Sequence, residues 1–110
     1  MATKQSTADY ITDQLVGVGE VRTRKMFGEY ALYCDGRVVG LICDNTLFIK
    51  ITEPGKQFVG NFYEEGEPYP GAKPWMVIDG DRIEDHEWLR GLVRITADTV
   101  PLPKPKKTKR

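Results

Sequence analysis

The sequence predicts an α+β domain, a mainly antiparallel sheet with a central three-strand meander flanked by an N-terminal and a C-terminal helix. Three observations carry this. The turn pairs Asp35-Gly36 and Asp44-Asn45 tolerate left-handed backbone and bracket an apolar run, the pattern of consecutive two-residue hairpins. Apolar residues recur at helical spacing near both ends, at Ile11, Leu15 and Val18 and at Trp88, Leu89, Leu92, Val93 and Thr96. At 110 residues the chain can bury one core without metals or disulfides, so a single domain over 1–100 and a tail over 101–110 are expected.

In chain order, Ser6-Thr7-Ala8-Asp9 offers a hydroxyl cap with an acid three residues on, and the helix it opens should stop at Gly17 or Gly19. Val21 to Phe27 reads as a strand, with Gly28 after it as a bulge or kink. The meander then covers 29–34, 37–43 and 46–52. With two-residue loops, parity puts Ala31, Tyr33, Val38, Gly40, Ile42, Leu47, Ile49 and Ile51 on the core face, Gly40 lying under a closely approaching helix. The other face then carries Tyr30, Leu32, Cys34, Arg37, Val39, Leu41, Cys43, Thr46, Phe48 and Lys50. It is apolar at its centre, so either a second layer covers it or it is an interaction patch. Pro54 opens a short helix holding Phe58, Val59 and Phe62, residues 64–74 form a Pro/Gly-rich loop, and Trp75–Ile78 is a further strand. Asp85 caps the last helix, which Pro101 ends at the latest.

Charge and motif content narrow the function classes. Net charge is zero, but the tail holds Lys104, Lys106, Lys107, Lys109 and Arg110 with no acid, leaving 11 of the 16 basic residues against all 16 acids in positions 1–100. An acidic body repels a polyanion, so weak, sequence-independent nucleic-acid contact is expected only through a local basic patch or the tail, which alternates Pro and Lys and should stay disordered. The chain has no apolar run near the roughly 20 residues a membrane span needs, and MATKQSTADY lacks the basic start and apolar stretch of a signal peptide. A cytoplasmic protein without membrane contact is expected. Cys34 faces Arg37 in this register, and Arg37 to Cys43 spans about 20 Å of strand, far beyond the roughly 4.4–6.8 Å between Cα atoms of a disulfide. Both thiols should therefore stay reduced. His86 is the only histidine, and the acids Asp79, Asp81, Glu84, Asp85 and Glu87 lack the spacing of a calcium loop and instead favour a helix N-terminus. No cofactor, metal or catalytic set is expected.

Arg22, Arg24 and Lys25 form the one dense basic group of the body and run directly into Met26-Phe27. The stretch Arg24-Lys25-Met26-Phe27-Gly28-Glu29-Tyr30, with Leu32-Tyr33, Asp35-Gly36, Gly40-Leu41-Ile42 and Asn45-Thr46-Leu47-Phe48-Ile49-Lys50, resembles the N-terminal domain of the TfoX/Sxy family. The resemblance is dense over 20–52 and looser over 53–98. It implies an α+β domain with a mainly antiparallel sheet flanked by helices, in a family of regulators of bacterial competence that act as co-activators beside a cyclic-AMP receptor-type transcription factor. Longer members carry a second, helical domain where this chain has its basic tail.

The functional expectation is a non-enzymatic regulatory module that acts through another protein, such as a transcription factor, with a homodimer left open. Arg22, Arg24, Lys25, Met26, Phe27, Tyr30, Leu41 and Phe48 are the candidate interaction residues. The alternative is a small-ligand-binding domain with Tyr63, Tyr69 and Trp75 lining a cleft between the sheet and the 53–75 segment.

Overall fold

The computed structural model describes residues 3–100; the tail and its five cations lie outside the described residues. Helix α1 (Gln5–Gln14) leads into strands β1 (Val21–Met26), β2 (Glu29–Cys34), β3 (Arg37–Cys43) and β4 (Thr46–Ile49). Helix α2 (Glu53–Val59) and a 3-10 turn (Gly60–Phe62) follow, then β5 (Glu65–Gly66), β6 (Trp75–Ile78), α3 (Gly80–Glu84) and α4 (His86–Thr99). The six strands form one sheet in the order β1-β2-β3-β4-β6-β5, every neighbouring pair antiparallel. The predicted meander is thus the last three strands of a four-strand meander, and α2 carries the chain away before β6 returns beside β4.

Three hairpins share one turn chemistry. Asp35-Gly36 and Asp44-Asn45 both take positive φ at each central residue, as their residue types predict. Phe27-Gly28 does the same, with φ 51° and 82°, and Met26 pairs with Glu29 across it. Gly28 is therefore the second residue of a hairpin turn, not a bulge or kink, and Phe27 occupies a position that normally goes to Asn, Asp or Gly.

The bulge lies elsewhere and decides the fold. Leu32 pairs with Gly40 while Tyr33 pairs with Val38, so Val39 is an extra residue in β3. Past it the parity of β2 against β3 reverses. The core cluster takes Tyr30, Leu32 and Cys34 from β2, with Val39, Ile42, Leu47 and Ile49 from β3 and β4. The expected faces are therefore half inverted: Tyr30, Leu32, Cys34 and Val39 belong to the core, while Ala31, Tyr33 and Val38 belong to the opposite face. Gly40 keeps its requirement for a small residue, but for a different reason. A Cβ there would meet the Phe48 carbonyl oxygen at 2.4 Å and Ile49 Cδ1 at 3.0 Å, so the neighbouring strand excludes a side chain and no helix is involved.

All four helices contribute to the cluster on that one face: Ala8 and Ile11 from α1, Val59 from α2, Ile83 from α3 and Leu89, Leu92, Val93 and Ala97 from α4. Helix α1 begins at Gln5 without a side-chain cap, one residue before the predicted Ser6 signal. Its entry is held from a distance, since Lys4 N–H and the Thr7 hydroxyl both donate to Asn45 Oδ1 at 2.9 Å. Thr52 caps α2 by accepting from Gly55 N–H at 3.0 Å, and Asp85 caps α4 by accepting from Trp88 N–H at 3.2 Å. Helix α3, absent from the expectation, is capped by Asp79. Strand β4 ends at Ile49 rather than 52, and the loop over 64–74 contributes the two-residue β5.

Helix α4 also fastens the irregular connector between α1 and β1. Arg90 Nη1 donates to Val16 O at 2.9 Å, and Arg94 Nη1 donates to Val18 O at 2.7 Å and to Asp35 Oδ2 at 3.1 Å. Gln14 Nε2 reaches Ile83 O at 2.8 Å. Asp35 also accepts from Glu20 N–H, and that bond together with Arg94 holds its carboxyl below the ordinary value of 3.8.

Candidate functional site

With every described helix on one face, the other face of the sheet has no helical cover. Strand parity places Arg22 and Arg24 of β1 there with Ala31 and Tyr33 of β2, then Val38, Leu41 and Cys43 of β3, Phe48 of β4 and Trp75 and Val77 of β6. The floor is apolar. At one end the 65–75 segment folds up against it, and Gly66 allows this because a Cβ there would come within 2.7 Å of Val77 Cγ2. Phe48 is consequently buried, at 7% exposure, while Tyr33, Val38 and Leu41 are half-exposed.

A depression of about 780 Å³ occupies this face, floored by Ala31, Val38 and Leu41 and walled by Phe27, Tyr69 and Trp75. A smaller one of about 430 Å³ adjoins it, lined by Arg22, Thr23, Arg24 and Tyr33, with Tyr33 common to both. The result is a shallow trough from the β1 edge toward β6. Arg22 pairs with Glu20 at 2.9 Å, both side chains exposed. Glu29, at the hairpin end, accepts from the Thr3 hydroxyl and from Asp44 N–H. Arg24 and Lys50 take part in no ion pair among the described residues, and Lys50 Nζ stands 6.0 Å from the Trp75 ring centre.

The candidate residues divide on this frame. Arg22, Arg24, Met26, Phe27, Leu41 and Phe48 are brought together on the open face or its rim. Lys25 pairs with Tyr30 and takes the other parity, exposed at the sheet edge. Tyr30 itself is a core residue at 4% exposure, its hydroxyl donating to Gln5 Oε1 at 2.8 Å, which corrects its expected place on the second face. Tyr69 and Trp75 do wall the depression, but Tyr63 does not join them. It packs against the core, with Lys56 Nζ 5.4 Å from its ring, and its bond to Glu65 with burial behind it pushes the phenol up to about 12.

Sequence reasoning missed Ala31, Tyr33 and Val38 as members of this surface, while Lys50 was expected on it. Gly40 inside an apolar strand was the available signal, since an interior glycine marks a bulge.

The thiols lie on opposite faces, Cys34 toward the helices and Cys43 toward the trough, both buried and free. Burial raises both pKa values, with Asp35 adding to Cys34 and Glu29 to Cys43, so each is protonated at neutral pH and a poor nucleophile. Asp79 and Asp85 are helix caps, and His86 is exposed in the first turn of α4. Among the described residues no cluster of three or more His, Cys, Asp or Glu side chains could hold a metal ion, and no helix is long and apolar enough to cross a membrane.

Comparison with known proteins agrees with the sequence signature. The chain is 47% identical over 109 residues to a protein of Spirochaeta aurantia known as an uncharacterized 12.7 kDa protein in the trpE 5' region, covering 99% of this chain and 93% of that one. The profile of the TfoX N-terminal domain matches residues 13–99, which takes in all six strands and α2 to α4. The chain belongs to the TfoX N-terminal domain family.

Proposed function

We propose that the domain is a non-enzymatic regulatory module of the bacterial cytoplasm that holds a partner protein on the open face of its sheet and acts in transcriptional control. The observation that carries the reading is the uncovered apolar face with Phe27 at its rim, fully exposed at 104%. Family membership supports the regulatory half, since the family resemblance is to co-activators that work beside a transcription factor. The basic tail adds weak, sequence-independent contact to nucleic acid: five tail cations with Arg22, Arg24 and Lys25 give a logarithmic salt slope no steeper than about −7.

Affinity capture from the native host tests the reading. The wild type and a variant lacking 101–110 retain the partner, whereas Leu41→Glu loses it and Phe62→Glu, on the helical side, keeps it. Specific operator binding by the protein alone, surviving tail deletion, would replace the co-regulator with a direct DNA-binding factor.

One observation favours a second reading. The half-enclosed depression with Tyr69 and Trp75 as walls has the size of a small-molecule site. A metabolite that raises the melting temperature of the wild type but not of Trp75→Ala would establish it.

A further inference from the structure

Three large side chains stand out from this fold without holding it together. Phe27 sits in a left-handed turn position that costs a bulky residue strain, and its ring is free. Met26 beside it and Tyr69 across the depression are exposed too, and all three line the same cavity. On the helical side Phe58 and Phe62 instead pack against Trp88, with ring centres 5.6 and 6.5 Å apart and Phe62 edge-on, and the Arg82 guanidinium lies 4.2 Å over Phe62.

Charge narrows what can occupy the trough. Its floor runs between Arg24 on β1 and Lys50 just past β4, two cations without ion-pair partners among the described residues, whereas the one acid lining the larger depression, Glu29, is engaged by the Thr3 hydroxyl and Asp44 N–H at the hairpin end. Strands β1 and β4 are three spacings apart, about 14 Å. An α-helix with its side chains is about 10–12 Å across, so one laid on this floor with its axis along the strands would bring each flank close to a cation. A second copy is a poorer occupant. Face to face it would set cations against cations, and self-pairing of the β1 edge, Val21 opposite Met26, would set Arg22 against Lys25. Single-stranded nucleic acid is disfavoured by the aliphatic centre of the floor.

We infer that the open face receives an amphipathic helix of a partner protein whose apolar stripe is flanked by acidic residues. The inference rests on the open face being a protein-docking surface, and it adds the chemistry of the partner. Acidic flanks select such a helix from others of equal hydrophobicity.

The test uses the full chain, ¹⁵N-labelled, titrated with peptides of about 18 residues that share one Leu/Phe stripe and differ in Glu or Lys flanks, and separately with single-stranded DNA. The Glu-flanked peptide shifts the amides of Tyr33 and Leu41 and the Trp75 indole, leaves the Trp88 indole in place, and binds at least about tenfold more tightly than the Lys-flanked one. Arg24→Glu/Lys50→Glu, with an unchanged circular dichroism spectrum, inverts the preference. Equal affinities, no binding of either peptide at about 1 mM, or tighter binding of the DNA would overturn the inference. Host capture separates the two levels. If Leu41→Glu loses the native partner while the peptides fail to discriminate, docking stands and the acidic helix falls; if it keeps the partner, both fall.

Discussion

On one side of the sheet Leu32, Ile42, Leu47 and Met76 are sealed beneath helices, while on the other Tyr33, Leu41 and Trp75, from the same strands, stand half-exposed. The two faces are nearly equal in apolar content. What separates them is what the rest of the chain offers to each: the helices turn apolar stripes to one, and the other is bordered by Arg22, Arg24 and Lys50. Hydrophobicity of a strand face therefore does not by itself say that the chain's own helices cover it; the apolar stripes and the charges that the rest of the chain offers to each face decide which one becomes core.

Paired truncations should break or sharpen this contrast most. Leu32→Ala, on the helix face, is expected to cost about 2–5 kcal/mol in urea denaturation, while Leu41→Ala on the open face costs about 1 kcal/mol or less. Similar losses would mean that the open face is also core. Gly40→Val comes next, at about 1–3 kcal/mol, because its side chain meets the β4 backbone. An unchanged melting temperature would show that the bulge absorbs the added volume. Phe27→Asn should leave stability unchanged or raise it by up to about 1 kcal/mol, since Asn tolerates the left-handed turn, and should still weaken partner binding. A clear loss of stability would make Phe27 a structural residue.

The smallest effect is expected from acid. Asp35 has a folded pKa depressed below 3.8 by the Glu20 amide and Arg94, so its contribution is present above that pH and lost as pH falls through the folded value. The stability gap between wild type and Asp35→Asn should therefore narrow below pH 3.8. A gap that stays constant down to acid unfolding would show that Asp35 acts without its charge.

Much of the architecture was legible because local chemistry specified it. Asp-Gly and Asp-Asn pairs fixed two turns, Asp85 fixed the start of α4, and Pro54 marked α2. What escaped was specified by distant contacts. Ser6 looked like a cap, but Asn45 takes the role from another hairpin. Phe27-Gly28 carried no Asn or Asp to announce a turn, only a glycine. The most consequential miss was the one-residue bulge at Val39, because side-chain period two converts a single insertion into an exchange of faces for half the strand set. The candidate surface was legible in composition, as Arg22, Arg24, Met26, Phe27, Leu41 and Phe48, but the rest of its floor was not, since Ala31, Tyr33 and Val38 read as core until the bulge moved them.

The bonds from Arg90 and Arg94 to Val16, Val18 and Asp35 bear on how the domain comes into being on the ribosome. Residues 21–49 can pair as a meander once they have left the exit tunnel, since each strand is joined to the next by a two-residue turn. The helix that seals its inner face, and the arginines that tie the first connector down, are translated 40 to 48 residues later, at Leu89 to Ala97. For that interval the nascent sheet presents two greasy sides instead of one, and only α1 and the short α2 and α3 arrive in time to shield any of the inner one. At roughly 5–20 residues per second the exposure lasts several seconds, a window in which a chaperone at the tunnel mouth has something to hold and a neighbouring nascent chain has something to stick to.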